Sequence, residues 1–157
     1  MVNNEYKLTS ELLKLSYSKY WADAKKEWGI QRIYYLDDEP QACLCGHYPI
    51  KEVCVIKNNK TGKIAEVGNC CVKKFLDISH IGFNIDLIFQ AIKRILDDVS
   101  KAVNLDTIYY AQQLRIWNQK DTKFYQDTCR KRILSSKQSK YREDLNKRLL
   151  AVICRRS

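Results

Sequence analysis

The sequence predicts an α+β protein, mostly α-helical, in which a small β-hairpin module packs with a multi-helix body. Three observations lead to this prediction. Two β-branched segments, residues 52–57 and 63–67, flank a turn-forming stretch that ends at Gly62. Five of the seven cysteines lie between Cys43 and Cys71, around that hairpin. Apolar side chains elsewhere recur at three- and four-residue steps, which is typical of amphipathic helices.

The N-terminal segment, residues 9–28, predicts one long helix. Its apolar side chains fall at helical spacing, a hydroxyl residue can cap its start, and Gly29 can end it. The predicted apolar face consists of Leu12, Leu13, Tyr17, Tyr20, Trp21, Ala24 and Trp28. Residues 31–36 are rich in Ile and Tyr and predict a strand, followed by a turn at Pro40.

The chain beyond the hairpin is predicted to be entirely helical. Asn69 can cap a short helix over residues 70–76. Ser135 and Gln138 fit a capping box at the start of the last helix. The four later helices are predicted over residues 86–103, 106–117, 121–133 and 136–153.

The net charge of +10 is concentrated towards the C-terminus. From Arg115 onward the chain has 13 Lys and Arg against 4 Asp and Glu, whereas residues 1–114 are almost neutral. This change predicts an N-terminal region, residues 1–104, and a basic helical region, residues 105–157, which can also form one continuous domain. A basic region on a neutral body indicates a polyanionic partner, usually a nucleic acid, either DNA or RNA. A lysine-rich, solvated surface is the alternative.

The side chains expected to contact a nucleic acid lie around the turn before the last helix and along one flank of that helix. They are Arg130, Lys131, Arg132, Lys137, Lys140 and Lys147, with Arg155 on the same flank and with Lys73 and Lys74 of the short helix as an extension. Such a face follows a phosphate backbone and loses affinity steeply as salt rises. Tyr125 and Tyr141 lie near enough in sequence to stack on unpaired bases, unless they belong to the core.

The sequence shows neither an export signal nor a membrane span. The first residues lack the apolar core of a signal peptide, and no apolar run approaches the roughly 20 residues that cross a bilayer. We therefore expect a cytoplasmic protein with reduced thiols. An odd number of cysteines, clustered as they are here, favours metal binding over disulfides in such a compartment.

The spacing of the cysteines fits a structural zinc ion, which takes four tetrahedral ligands, mostly thiolates. Cys43 and Cys45 share one tight turn, and Gly46 allows the backbone to fold back so that both sulfurs converge. The hairpin then returns the chain to the same point. Cys71 follows at the start of the short helix, where free N–H groups favour a thiolate.

The fourth zinc ligand is left open by the sequence. Cys54 is our first choice because a thiolate binds zinc best, with His47 and Cys70 as alternatives. Cys71 is preferred over Cys70 because adjacent thiolates rarely serve one ion. An iron–sulfur cluster and a set of buried, reduced core cysteines are the competing interpretations.

The order of cysteine turn, hairpin and helix start looks like a treble-clef zinc finger. The usual finger separates each ligand pair by two residues, whereas Cys43 and Cys45 have one spacer. The C-x-C-G-H turn, the hairpin and the V-G-x-x-C-x-x-x-F stretch resemble small, uncharacterised proteins of bacteria and their phages. Residues 124–138 are similar to a helix–turn–helix extension beside such fingers. The resemblance implies a zinc finger in a bacterial cytosol, with Cys43, Cys45 and Cys71 as ligands and His47 as a further match.

No catalytic constellation accompanies the cysteines. The zinc-deaminase pattern fails because His47 is followed by Tyr and Pro, with no glutamate in the required place. Metalloprotease, phosphate-loop and nucleophile-elbow motifs are absent, and His80 is expected to be a structural or solvated loop residue. The sequence therefore predicts a non-enzymatic, zinc-containing nucleic-acid-binding protein. The alternative is a phage or mobile-element protein that binds an acidic surface of a host protein and inhibits or adapts that protein.

Overall fold

The computed structural model of the 157-residue chain describes residues 4–75 and 84–155. Over these two ranges the chain forms seven α-helices and one four-stranded sheet, so the predicted α+β class is confirmed. Its elements divide into two compact units, Met1–Ile81 with Arg155–Ser157 and Gly82–Cys154. The predicted change in charge, near residue 104, falls inside the second unit.

Two sequence predictions fall outside the described residues. They are the role of His80 and the end of the short helix at residue 76. Among the helices that are described, none combines the length and the apolar character needed to cross a bilayer.

The first unit is built on a sheet with the strand order β3-β2-β1-β4. Three elements precede the sheet, namely helix α1 (Asn4–Leu15), helix α2 (Trp21–Ala24) and a 3₁₀ turn (Lys25–Glu27). The strands are β1 (Trp28–Leu36), β2 (Glu52–Asn58), β3 (Ile64–Gly68) and β4 (Cys154–Arg155), and β3 runs into helix α3 (Asn69–Phe75).

Strands β2 and β3 form the predicted hairpin. Cys54 of β2 pairs with Ile33 on one side and with Val67 on the other, and all three side chains are buried. Asn58 ends β2 and closes the turn, because its Oδ1 accepts hydrogen bonds from the backbone N–H groups of Lys60 and Thr61, at 2.9 Å each. The hairpin is therefore specified locally, by β-branched strands and a side chain that stabilises the turn.

The predicted single helix over residues 9–28 is wrong, because the chain leaves the helical conformation after Leu15. Ser16 Oγ accepts a 2.9 Å hydrogen bond from Trp28 Nε1. The next two backbone N–H groups donate to the carboxylate of Glu27 instead of continuing the helical ladder. Side-chain acceptors of this kind compete with helix formation, and here they replace a helix with a loop.

This break changes the role of two aromatic side chains. Tyr17 and Tyr20, predicted to lie on the apolar face of the long helix, are exposed instead. Leu12, Ala24 and Trp28, predicted on the same face, are buried. The apolar pattern therefore identified Leu12, Ala24 and Trp28 correctly, whereas Leu13 and Trp21 are only half-buried and the loop tyrosines lie in the solvent.

The second unit consists of four helices. They are α4 (Ile85–Asp97), α5 (Leu105–Gln113), α6 (Gln119–Thr128) and α7 (Ser136–Ile153). Each begins after a residue whose side chain accepts a hydrogen bond from the first turn, namely Asn84, Asn104, Asn118 and Ser135. The predicted range of the last helix and its capping box with Gln138 are confirmed.

The predicted helices before α7 are too long at their C-terminal ends. α4 ends at Asp97 rather than at residue 103, because Asp98 Oδ1 accepts hydrogen bonds from both the N–H and the hydroxyl of Ser100, at 3.0 and 2.7 Å. The resulting turn replaces a further helical turn. The prediction of an entirely helical end is also wrong, because the last described residues form β4.

Tyr125 lies in the core of the second unit. Its ring stacks on Trp117 with the centroids 4.7 Å apart, and it has no exposed surface. Its hydroxyl donates to Asn146 Oδ1 at 2.7 Å and accepts from the N–H of Val103 at 3.0 Å. The interpretation of Tyr125 as a base-stacking residue is therefore wrong, since the ring is used by the core.

Candidate metal centre

Three cysteine sulfurs converge at one point of the first unit. The Sγ atoms of Cys43 and Cys71 lie 3.5 Å apart, and those of Cys71 and Cys45 lie 3.4 Å apart. Within residues 4–75 and 84–155, these three form the one group of at least three His, Cys, Asp or Glu ligand atoms that lie within 4.8 Å of one another. All three side chains are buried. The structure thus brings together three of the four predicted ligands.

A tight turn over residues 43–47 positions the first two sulfurs. The N–H of Cys43 donates to the carbonyl of His47 at 2.9 Å, and the N–H of Gly46 donates to the carbonyl of Cys43 at 2.8 Å. Gly46 has a φ of 90°, in the left-handed region that favours glycine. The N–H of His47 also donates to Cys45 Sγ at 3.4 Å. The backbone of the turn therefore supports the negative charge of a thiolate.

The end of the hairpin positions the third sulfur. The N–H of Gly68, the last residue of β3, donates to Cys43 Sγ at 3.2 Å. A Cβ at Gly68 would lie 3.3 Å from Ile50 Cγ2, so a side chain there would crowd the cysteine turn. Cys71 follows in the first turn of α3. Gly68 is a site residue that the sequence prediction missed. A glycine shortly before the two cysteines, at the end of a β-branched strand, is the feature that could have identified it.

The protonation of the three thiols is mutually dependent. The hydrogen bond with Cys71 lowers the pKa of Cys43 to about 5, although burial acts in the opposite direction. The same contact, together with burial, raises the pKa of Cys71 well above its usual range. The contact therefore favours the thiolate at Cys43 and the protonated thiol at Cys71. A divalent cation stabilises all of the sulfurs in the thiolate form, and its binding releases such protons.

The donor set fits a zinc ion. Four sulfurs at about 2.3 Å from a tetrahedral ion lie roughly 3.8 Å from one another. The observed separations of 3.4 and 3.5 Å need only a small expansion to reach that value. Cys43, Cys45 and Cys71 could therefore hold a metal ion, with one coordination position left for a further ligand.

A cavity of about 460 Å³ lies beside the three sulfurs and contains two candidates for that position. Both His47 and Cys70 line it and both are exposed. Cys54, our first choice from the sequence, lies in β2 with no exposed surface and is not a member of the group of close sulfurs. The hairpin register explains its position, because Cys54 lies between the buried Ile33 and Val67.

No family model, no curated protein and no solved structure matches this chain. Its function must therefore be inferred from its own geometry and chemistry.

The predicted basic contacts of the second unit are all exposed. Arg130, Lys131 and Arg132 lie in the turn between α6 and α7, and Lys137, Lys140 and Lys147 lie on α7. The sequence contains no acidic residue between Asp127 and Glu143. The turn and the start of α7 therefore form a surface whose formal charges are all positive, which we call the basic turn (residues 130–140).

Two other residues of that prediction have different roles in the structure. Tyr141 stacks on Phe124 with the ring centroids 4.2 Å apart, and its hydroxyl donates to Asp121. Arg155 does not lie on the flank of α7, because it belongs to β4 and forms a 2.9 Å ion pair with Glu66. Its guanidinium also lies 4.1 Å from the centroid of the Tyr34 ring. The predicted roles in nucleic-acid binding are therefore wrong for both residues, because Tyr141 and Arg155 make contacts within their own units.

Lys73 and Lys74 lie on the exposed side of α3, in the first unit. Lys74 also lines the cavity beside the three cysteines. A second lysine, Lys7 of α1, lies against the cysteine turn, with its Nζ 2.9 Å from the position that a Cβ of Gly46 would take. Cationic side chains near thiolates favour the charged form of the sulfurs.

Proposed function

We propose that this chain is a non-enzymatic nucleic-acid-binding protein whose first unit is stabilised by one structural Zn²⁺ ion in a treble-clef-like module. The convergence of Cys43, Cys45 and Cys71 is the observation that supports the metal most strongly. Thiolate-rich tetrahedral sites select zinc among the common divalent ions. The thiols must stay reduced, so we place the protein in the cytoplasm of a bacterial cell.

A structural role is favoured over a catalytic one by the surroundings of the sulfurs. A catalytic zinc needs a water molecule and a nearby general base. Glu52 lines the adjacent cavity, but its Oε1 accepts a 3.3 Å hydrogen bond from Asn69 Nδ2 at the start of α3. The carboxylate thus connects β2 to the helix that carries Cys71, which is a structural task.

Hydrogen exchange on purified protein tests the structural role of zinc. Apparent binding free energies of about 10–16 kcal/mol for zinc fingers match or exceed the stability of a whole small domain. Removal of the ion with a chelator should therefore abolish amide protection in β1, β2 and β3, and α7 of the second unit should keep its protection. Unchanged protection of the three strands after complete metal removal would rule out a structural ion.

The basic turn supports the nucleic-acid part of the proposal. Arg130 of the basic turn lines a depression of about 690 Å³ in the second unit together with Arg94 and one carboxylate, that of Asp106. Exposed arginine and lysine side chains attract phosphate groups and release their counterions on binding. Arginine in addition offers paired N–H donors that suit phosphate oxygens.

Salt-dependent binding of labelled duplex DNA and duplex RNA tests this surface. Affinity falls as salt rises, so the slope of log affinity against log salt is negative. The triple variant Arg130→Ala, Lys131→Ala, Arg132→Ala should make this slope shallower by roughly 3 if each residue contacts one phosphate. The double variant Lys120→Ala, Lys123→Ala removes exposed lysines of α6 outside the basic turn and serves as a control. Equal slopes for the triple variant and the wild type would eliminate the basic turn as the phosphate-binding surface.

One observation favours the alternative that this surface binds an acidic host protein. Ile133, in the middle of the basic turn, is 87% exposed. An apolar side chain surrounded by cations suits a protein interface, where apolar anchors are buried within a charged rim. A pull-down from bacterial lysate that survives nuclease treatment and is lost on Ile133→Ser would support this alternative, which also agrees with the resemblance to phage proteins.

A further inference from the structure

Four tyrosines of the first unit are strongly exposed: Tyr48, at 62%, follows the cysteine turn, and the other three are Tyr6, Tyr17 and Tyr20. Tyr6 lies on α1, and Tyr17 and Tyr20 lie on the loop formed by residues 16–20, which we call the tyrosine loop. Their exposed fractions are 71%, 71% and 75%. Rings of this size lose most of their favourable burial energy when they stay in water, so the two rings on one short loop mark it as a candidate binding surface.

The tyrosine loop is held in place by a buried carboxylate. Glu27 accepts hydrogen bonds from the N–H groups of Tyr17 and Ser18, at 2.8 and 3.0 Å, and from Asn58 Nδ2 at 3.0 Å. Only 5% of Glu27 is exposed. Because the acceptor is buried, these hydrogen bonds hold the loop backbone at Tyr17 and Ser18 in place.

The hairpin turn fixes the same loop from a second side. Thr61 Oγ1 donates to the carbonyl of Leu15 at 2.8 Å. Lys60, also in that turn, places its Nζ 5.4 Å from the centroid of the Tyr17 ring. An ammonium group at this distance interacts with the ring face and keeps a positive charge beside the exposed aromatic surface.

Further lysines complete the surface. A depression of about 370 Å³ beside the loop is lined by Tyr6, Leu13, Lys14 and Lys19, among others. The charge of Lys14 is partly offset by Glu11, which lies 3.1 Å away. Lys19, between Tyr17 and Tyr20 in sequence, adds a further exposed cation. Exposed tyrosines therefore have lysines beside them in this part of the first unit.

We propose that the tyrosine loop binds unpaired nucleic-acid bases, with Tyr17 and Tyr20 stacking on bases and Lys19 and Lys60 contacting the phosphates. Single strands suit this surface because their bases offer free faces, whereas the bases of a duplex are already stacked on one another. The inference deepens the proposed function by naming its ligand class, single-stranded DNA or RNA. It concerns the first unit, so it is separable from the basic turn.

Fluorescence anisotropy with a labelled 12-nucleotide single strand and a matched duplex, at low and high salt, tests the proposal. The double variant Tyr17→Ala, Tyr20→Ala should bind the single strand at least about tenfold more weakly, because both rings on which bases stack are lost. Duplex binding should stay unchanged. The variant Tyr17→Phe, Tyr20→Phe should retain single-strand affinity, since stacking needs the ring and not the hydroxyl. Tyr109→Ala is the control, as it removes a 47% exposed tyrosine of the second unit.

The two surfaces fail in different ways. Single-strand affinity that is unchanged by Tyr17→Ala, Tyr20→Ala overturns the inference. In that case, a loss of salt-dependent nucleic-acid binding in the Arg130, Lys131, Arg132 triple variant would still support the basic turn. Tyrosine-dependent binding to vesicles containing anionic lipid, with none to oligonucleotides, also overturns it. Photo-cross-linking of a 5-bromouracil-substituted single strand gives a second readout, and mass spectrometry should find the adduct on Tyr17 or Tyr20.

Discussion

Cys71 Sγ lies 3.4 Å from Cys45 Sγ although the two cysteines are 26 positions apart in the sequence. The hairpin brings them together, because β2 carries the chain away from the cysteine turn and β3 returns it to Gly68, directly before α3. Without a cation, this proximity forces the thiols to compete for protons and to bury polarisable sulfur without a strong partner. A metal ion removes both penalties, so the close approach is expected to depend on the ion.

Cysteine substitutions should separate metal ligands from core thiols. Cys71→Ser is expected to abolish stoichiometric zinc binding and to unfold the first unit, because two remaining thiolates and one further ligand cannot complete a tetrahedral site. Cys54→Ser should keep one zinc per chain and lose stability only through the buried hydroxyl, which costs about 1–3 kcal/mol. Zinc content and denaturant unfolding measure the two effects. Loss of zinc in Cys54→Ser would restore Cys54 as a ligand.

The fourth ligand is expected to be His47 rather than Cys70. His47 follows the two cysteines in the same turn, whereas Cys70 and Cys71 are adjacent on a helix and project in different directions. Loss of a residue that only hydrogen-bonds to a metal ligand typically lowers metal affinity by about 10–100-fold. Loss of a direct ligand should cost more, so His47→Ala should weaken zinc binding by at least about 100-fold. Cys70→Ser should leave the affinity unchanged. Competition with a chromophoric chelator measures both, and the reverse ranking would assign Cys70 instead.

The tyrosine loop should be sensitive to acid through Glu27. Burial alone would raise the pKa of Glu27, but hydrogen bonds from Asn58, Tyr17 and Ser18 outweigh it and lower the pKa below its ordinary value of 4.5. A lowered pKa in the folded state means that the ionised carboxylate stabilises the fold above pH 4.5 and that this stabilisation is lost as the pH falls through the lowered pKa.

Glu27→Gln tests this pH dependence directly. The variant should be less stable than the wild type at pH 7, and the difference should shrink as the pH falls below about 4.5. Urea unfolding at a series of pH values measures the difference, and Asp23→Asn, which removes an exposed carboxylate of α2, is the matched control. A difference that is constant from pH 7 to pH 3 would contradict the role of the charged carboxylate.

The polar core of the second unit gives a further prediction. Tyr125→Phe should destabilise the unit by about 1–3 kcal/mol, because Asn146 Oδ1 and the N–H of Val103 lose a buried partner. The stacking on Trp117 should persist, so the cost comes from the hydroxyl alone. Denaturant unfolding measures the change, with Tyr109→Phe as the exposed control. An unchanged midpoint would mean that water satisfies both groups.

Elements specified by local chemistry were predicted well from the sequence. The capping box of Ser135 and Gln138 defines the start of α7, and the turn-forming Asn58 defines the hairpin, because each depends on residues close in the chain. Cys43, Cys45 and Cys71 were predicted for the same reason, since the cysteine turn and the hairpin fix where the sulfurs go.

Features that depend on distant partners were missed. The long N-terminal helix is interrupted because Glu27, beyond the break, takes the N–H groups of Tyr17 and Ser18, and no periodicity reveals that competition. Cys54 looked like a ligand by residue type, but its register in β2 decides its environment. Arg155 has the spacing of a basic helix face, but it lies in β4 and pairs with Glu66, which is distant in the sequence.

The metal content of the freshly purified protein, prepared without chelators and measured by elemental analysis, tests the metal centre most directly. We expect one zinc per chain, and none in the Cys71→Ser variant isolated in the same way. A wild-type protein that contains no zinc, and that gains neither metal nor thermal stability when zinc is added under reducing conditions, would contradict the proposed centre at Cys43, Cys45 and Cys71.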